Sequence, residues 1–219
     1  MDLENLVDLG CNWLQDYLPN HPETLAELQL CQNKSILMAA APTLVAQGEE
    51  LARTGEFEKA VAKFKQAKEW NPQLDINPET KAKVTFLLFQ GKELASKGDI
   101  KKAISAYAEA EKLDPKLEIS ADDWNSLCWD GSLHGYAADV MFACEKAVTL
   151  APTDGGIRDS RGLARALTGD TKGAIEDFQA FIQSSDDSKQ KSQRQGWVNA
   201  LNAGKNPFTE SELEKLRQQ

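Results

Sequence analysis

The sequence is poor in residues that carry chemistry. It has two histidines, His21 and His134, and four cysteines, Cys11, Cys31, Cys128 and Cys144, none in C-x-x-C spacing. A zinc site or a local dithiol redox motif therefore has no signature. No apolar run approaches the roughly 20 residues that span a bilayer. The start, Met1-Asp2-Leu3-Glu4, is acidic and lacks a basic n-region, which predicts no secretory signal. No G-x-x-x-x-G-K-[ST] run is present, so a phosphate loop of that type is excluded. Gly155-Gly156 and Gly162 follow no strand, so a dinucleotide fingerprint fails its context. Basic residues are outnumbered, 25 against 34, for a net charge of −9, and a phosphate backbone is repelled on average. The stretch from Lys189 to Arg194 is the local exception and reads as a solvated helix face. Low-complexity tracts and strand patterns are missing too.

The remaining reactive residues do not converge. Cys128 and His134 lie six positions apart, on different faces of a helix with 3.6 residues per turn, so they do not read as nucleophile and base. Asp122-Asp123 reads as helix-start charge, and Asp99 and Asp170 as turn residues. This predicts a chain that is not an enzyme and holds no cofactor or metal. The cysteines are expected to be reduced thiols, in keeping with a cytoplasmic setting. Cys128 and Cys144 fall at facing positions of one helix pair and are read as buried free thiols rather than a disulfide or a metal site.

What is present is a globular composition, 41% apolar and 27% charged, with an internal repeat. Gly48-x2-Leu51, Ala60-x3-Phe64-x2-Ala67 and Pro72 return as Gly91-x2-Leu94, Ala103-x3-Tyr107-x2-Ala110 and Pro115. Gly55 and Gly98 sit at the turn between the halves of each set. A third set has Trp124-x2-Leu127, a turn at His134-Gly135, then Ala147 and Pro152. It places Cys128 where the earlier sets have glycine, Gly131 where they have leucine and Cys144 in place of the aromatic. A fourth has Gly162, the turn Gly169-Asp170 and Ala174-x3-Phe178, with Arg165 at an expected apolar position and no closing proline.

The spacing predicts helices at Pro42–Arg53 and Phe57–Trp70, then at Pro78–Lys97 and Ile100–Leu113. Ser120 caps the third set. Ahead of the repeats, Leu3–Leu18 has a helical apolar period. Asn20-His21-Pro22-Glu23 reads as a stop and a new start with Pro22 at the first helical position, followed by a short helix carrying Leu25, Leu28 and Leu30. Pro42 is expected in a first turn. After the repeats, Ser188–Ala203 reads as a capping helix, and Thr209-x2-Glu212 opens a last short helix with Phe208 as its hydrophobic staple.

These residues resemble the tetratricopeptide (TPR) repeat. The resemblance implies an all-α, right-handed helical solenoid of about four helix-turn-helix repeats with flanking capping helices. Its divisions are an N-terminal helical segment, 1–41, repeats over 42–186 (42–76, 78–118, 121–154, 155–186) and C-terminal capping helices, 187–219. It implies a protein or peptide ligand against the inner faces of the first helices, here Val45, Glu49, Leu88, Lys92, Asn125, Trp129, Asp159 and Leu163. Trp129 reads either as an anchor or as a packed core residue. The family's carboxylate clamp is not reproduced, because only Lys92 and Asn125 have suitable chemistry; an apolar or mixed segment suits Val45, Leu88, Trp129 and Leu163 better. A flanking helix of the chain itself is the alternative occupant.

The segment from Leu9 to Leu18, with Trp124–Trp129, Ile157–Ala164 and Asn206-Pro207-Phe208, resembles parts of cyanobacterial WD-repeat and STAND-type multidomain proteins. That resemblance implies a TPR part of a larger parent, for which the rival role is a structural linker or an oligomerisation module, including a homodimer through the N-terminal helices. Nucleic acid and membrane are not expected partners.

Overall fold

The computed structural model describes residues 3–218; the acidic Met1-Asp2 start lies outside the described residues, as do the side chains of Leu3 and Glu4. Among the described residues every regular element is helical. In chain order these are α1 (Leu3–Trp13), α2 (Pro22–Glu27), α3 (Lys34–Arg53), α4 (Phe57–Trp70), α5 (Pro78–Ser96), α6 (Ile100–Leu113), α7 (Ala121–Leu133), α8 (Ala137–Leu150), α9 (Gly155–Thr168), α10 (Thr171–Ser184), α11 (Ser188–Asn202) and α12 (Glu210–Arg217). Short 3-10 turns occupy Leu18–Asn20 and Gln29–Cys31. The chain forms two compact units, Met1–Phe89 and Gln90–Gln219, with the boundary inside α5.

One device recurs in every helix pair. The turn holds a glycine, Gly55, Gly98, Gly135 or Gly169, with φ between +81° and +92°, a region that disfavours any residue with a Cβ. Within the pair the helices cross closely. A Cβ on Gly48 would come within 2.7 Å of the Phe64 ring, one on Gly91 within 2.7 Å of Tyr107 and one on Gly162 within 2.9 Å of Phe178. Small residue and aromatic ring thus share one slot. A larger side chain there would overpack the crossing by about 1–3 kcal/mol.

In the first unit, Asn33 caps α3 by accepting from the Ile36 N–H at 3.0 Å. The helix therefore starts well ahead of Pro42, which lies inside it rather than in its first turn. Ala40, Ala41 and Leu44 are fully buried and keep the apolar stripe in register. Pro42 is exposed, so the ring stands on the outer side of the helix, away from the buried stripe, where it costs one backbone hydrogen bond. The N-terminal helix also differs from expectation. It stops at Trp13, and the chain turns so that Leu18 joins Leu25, Cys31 and Ala40 in a small core. Pro22 does open α2, but α2 ends at Glu27, leaving Leu28 and Leu30 beyond it.

The cysteines are not free. Cys11 is joined to Cys31 and Cys128 to Cys144. The reduced-thiol expectation is thereby overturned, and with it the support it gave to a cytoplasmic setting. The physical reason is tertiary: Cys11 on α1 meets the 3-10 turn that carries Cys31, and Cys128 on α7 faces Cys144 on α8.

In the second unit the caps agree with the sequence pattern. Ser120 accepts from the Asp123 N–H, Asp154 from Ile157, Asp170 from Gly173 and Thr209 from Glu212. Phe208 and Leu213 are buried in the same cluster, as a hydrophobic staple requires. That cluster joins Leu163 and Phe178 of α9 and α10 to Trp197, Val198 and Leu201 of α11 and to Leu213 and Leu216 of α12. Arg217 fastens the last helix back onto α7 by donating to the Leu133 carbonyl at 2.6 and 3.0 Å. The pair α9/α10 compensates for its departures from the apolar pattern with charge. Asp177 is fully buried and receives Arg158 at 2.9 Å, Arg161 at 2.8 Å and Arg165 at 2.9 Å.

Candidate protein-binding faces

In the first unit, Val45 on α3 is half-buried and packs into the core around Ala52, Ala60 and Phe64. Glu49, one turn on, pairs with Lys81 of α5 at 2.6 Å. Leu88 is half-buried on α5. The Gln47 Oε1 atom is buried and accepts no hydrogen bond among the described residues. This face is mixed: one neutralised ion pair with apolar surface around it.

In the second unit, Lys92 is exposed on α5, and Asn125 and Trp129 are half-buried on α7. The spacing of Asn125 and Trp129 is one helical turn, so both present to one side. Trp129 packs against the cluster formed by Leu133, Leu163 and the capping helices, so its ring is partly a core element. The Asn125 Oδ1 atom is buried and has no donor among the described residues. Asp130, next along, is raised by its burial, against the opposing pull of His134 and Lys92. The His134 Nδ1 atom lies 2.8 Å from the Asp130 carbonyl.

Asp159 and Leu163 lie under the chain's own C-terminal helices. Leu163 is fully buried. Asp159 meets Arg194 of α11 through contacts of 2.7 to 3.1 Å, both residues being buried. Burial pushes the Asp159 carboxyl up and the Arg194 hydrogen bonds pull it down, the net direction being upward. The Arg194 guanidinium also lies 4.5 Å from the Trp197 ring centre and 5.0 Å from that of Phe181, so the cation is held between aromatic faces. For Asp177 the balance is reversed. Burial alone would raise it, but hydrogen bonds from Arg161 and Arg158 outweigh that and hold it below its ordinary value.

The reading of Lys189–Arg194 as a solvated helix face fails at Arg194, which is buried because it turns in to Asp159; Arg217, Asp130 and the joint role of the arginines on α9 were not foreseen. The set did leave a trace: Arg158, Arg161 and Arg165 recur at i, i+3 and i+7, one helix face. Arg194 left none, because its partner lies 35 residues away.

The paired helices, glycine turns and small-residue slots define a helical repeat protein. A tetratricopeptide-repeat family model matches residues 41–74 and 84–117, which cover α4 and α6 and about two thirds of α3 and of α5. No curated protein matches the chain. Among solved structures, the TPR domain of P58(IPK) is similar with a TM-score of 0.55 at 14% identity, over 92% of this chain and 56% of that one. Yeast Tom70 gives a TM-score of 0.47 at 16% identity, over 90% of this chain and 49% of that one. The chain thus spans about half the length of these two. The TPR assignment is supported by the repeat model and by the fold, which is the all-α, TPR-type fold expected from the sequence.

Proposed function

We propose that this chain is a non-catalytic scaffold that binds a protein or peptide through the inner faces of the first helix of each repeat. TPR folds generally serve protein–protein interaction and are typically not enzymes. The observation that carries the reading here is the buried Oδ1 of Asn125, which has no donor among the described residues, with half-buried Trp129 one helical turn on and Lys92 exposed on α5. A buried acceptor without a donor is costly. A backbone or side-chain N–H of an extended segment would satisfy it, with an apolar side chain against Trp129 and a carboxylate near Lys92. Val45, Glu49 and Leu88 offer the first unit a separate apolar face with one charge pair. Asp159 and Leu163 belong to the same expected set but are covered by α11 and α12, so the ligand in the second unit contacts α5 and α7 only.

Peptides selected from a random display library against the full chain provide the test. Asn125→Ala and Lys92→Ala are expected to weaken them about tenfold, the loss of one hydrogen bond to a buried or charged group, with an unchanged helical spectrum. Selected peptides that bind both variants as tightly as the parent would remove this face from the account. The coverage of Asp159 and Leu163 favours a second reading, in which the repeats join domains of a larger STAND-type protein and hold no groove ligand. On that reading selection yields no peptide sensitive to Asn125.

A further inference from the structure

The two disulfides close loops of similar length, their cysteines standing 20 and 16 positions apart, so chain entropy does not separate them. Access does. Cys128 and Cys144 are sealed between α7 and α8, at 0% and 1% exposure. Cys11 is half-buried, and with Cys31 it lines a groove of about 440 Å³. Val7, Gly10 and Leu14 also line it from the side of the first helix, and Leu28 to Cys31 form the opposite wall. The rim is open. Gly10 is exposed and a Cβ on it would meet nothing within 4 Å, while Leu30 is 81% exposed. Thiol–disulfide exchange needs a thiolate to reach a sulfur, so access governs its rate.

The same disulfide is the main tie of α1. Of the described side chains on α1, Val7 and Cys11 are half-buried and the others are exposed. Cys11 packs against the small core of Leu18, Leu25, Cys31 and Ala40, and so does Leu14, just past the end of the helix. A helix of 11 residues is marginal in water unless a packed face holds it. The pair α7/α8 is different. Leu127, Leu133, Val140 and Ala147 are buried along it, so it has a core of its own beside the cross-link.

We infer that Cys11–Cys31 is a site of thiol–disulfide exchange that latches α1 to the first unit, whereas Cys128–Cys144 is a fixed cross-link. The co-reactant is a dithiol reductant. One of its sulfurs, as thiolate, enters the groove and attacks the Sγ of Cys11. The S–S bond breaks, a mixed disulfide forms and Cys31 leaves as a thiolate. The second sulfur of the reductant then displaces Cys11. The dithiol is oxidised to its own disulfide by two electrons, and Cys11 and Cys31 each take up one of the two protons it gives up. Once freed, α1 loses its helix and uncovers the side of the core on which Cys31 lies. This site is separate from Asn125 and its face.

The test uses the full, oxidised chain, folded, at neutral pH. Dithiothreitol is added, free thiols are alkylated at intervals, and peptide mass spectrometry reads each cysteine. Cys11 and Cys31 are expected to label at least about tenfold faster than Cys128 and Cys144. Equal rates, the reverse order, or no labelling at all overturn the proposal. Hydrogen exchange reads the latch. With Cys11–Cys31 open, the amides of α1 are expected to exchange at least about tenfold faster and those of α4 at an unchanged rate. The double variant Cys11→Ala, Cys31→Ala holds the latch open without a reductant. Its α1 is expected to exchange at the rate of the reduced parent, with or without dithiothreitol. Protection of α1 that persists in the reduced chain or in the double variant overturns the latch. Loss of protection in α4 as well overturns it too, since the disulfide would then hold the whole unit rather than one helix.

Discussion

The two terminal regions treat their tryptophans in opposite ways. In the C-terminal cap, Trp197 is 4% exposed, edge-on to Phe178 and Phe208, with its indole N–H 3.3 Å from Glu212. In the N-terminal segment, Trp13 is almost entirely in water. Both sit on helices outside the repeats, and both helices have an apolar stripe. The difference lies in the segment after each helix. α11 leads into a capped, stapled α12 that folds back and is fastened to α7, so its apolar face is covered. α1 leads into a turn that draws Leu18 and Leu25 into the core and leaves Leu6, Leu9 and Trp13 outside. A repeat stack needs its end faces covered. In the second unit α11 and α12 cover the α9/α10 pair, whereas in the first unit Leu6, Leu9 and Trp13 of α1 stay exposed.

The largest effect that would break this contrast is Trp197→Ala. Removing a buried tryptophan from a three-ring cluster is expected to cost about 3–5 kcal/mol in chemical denaturation. It also removes the aromatic face over Arg194, so the Asp159–Arg194 pair loses part of its shelter. A cost below about 1 kcal/mol would mean that α11 and α12 contribute little to the unit.

A second contrast lies inside the repeats. Cys128 and Cys144 stand sixteen residues apart, the same interval as Gly48 to Phe64, Gly91 to Tyr107 and Gly162 to Phe178. The disulfide therefore fills the slot that a glycine and an aromatic ring fill in the other pairs. The double variant Cys128→Ala, Cys144→Ala is expected to lose about 3 kcal/mol, the contribution of a cross-link over a loop of this length. Cys128→Gly with Cys144→Phe restores the neighbours' solution and is expected to recover part of that loss. Equal melting of the two double variants would show that the slots are not equivalent.

Much of the fold was legible in the sequence because the signals were local. α4 and α6 run over the spans that the repeat spacing predicts, since a glycine turn fixes one end and a proline stands just past the other. Pro42 was misplaced because the local rule for proline was weighed above the Asn33 cap that starts the helix. The disulfide between Cys11 and Cys31 was hidden because C-x-x-C is a rule about adjacent positions, whereas these two meet through a turn. For the candidate face, the helix that carries each residue was legible and its burial was not: Trp129 packs against the cluster that the C-terminal helices complete. Lys92, Asn125 and Trp129 could be placed from their position in the repeat. That Asp159 and Leu163 are covered depends on Arg194, and on Arg217 bonding to a carbonyl 84 residues earlier, and no local pattern reports either.

A smaller effect separates the charged pair α9/α10 from its apolar counterparts. Asp177 is held below its ordinary value of 3.8, so it contributes stability that is fully present above that value and is lost as pH falls through the lowered, folded one. The raised Asp159 acts in the opposite sense, being relieved as it protonates. Asp177→Asn is therefore expected to destabilise the chain at pH 7 and to flatten the decline as pH falls below 3.8. Urea midpoints of parent and variant across that range measure it. Parallel curves would mean that the arginines of α9 do not depend on Asp177.

The smallest expected effect is at Trp13. Its side chain gives up almost no contact on removal, so Trp13→Ala is expected to change stability by no more than about 0.5 kcal/mol. Leu30→Ala is expected to behave alike. Set beside Trp197→Ala, the same change of residue at the two ends would then differ about sixfold or more in cost. If Trp13→Ala instead unfolded the first unit, the Trp13 face of α1 would belong to the core around Leu18 and Leu25, and the contrast between the two tryptophans would fall.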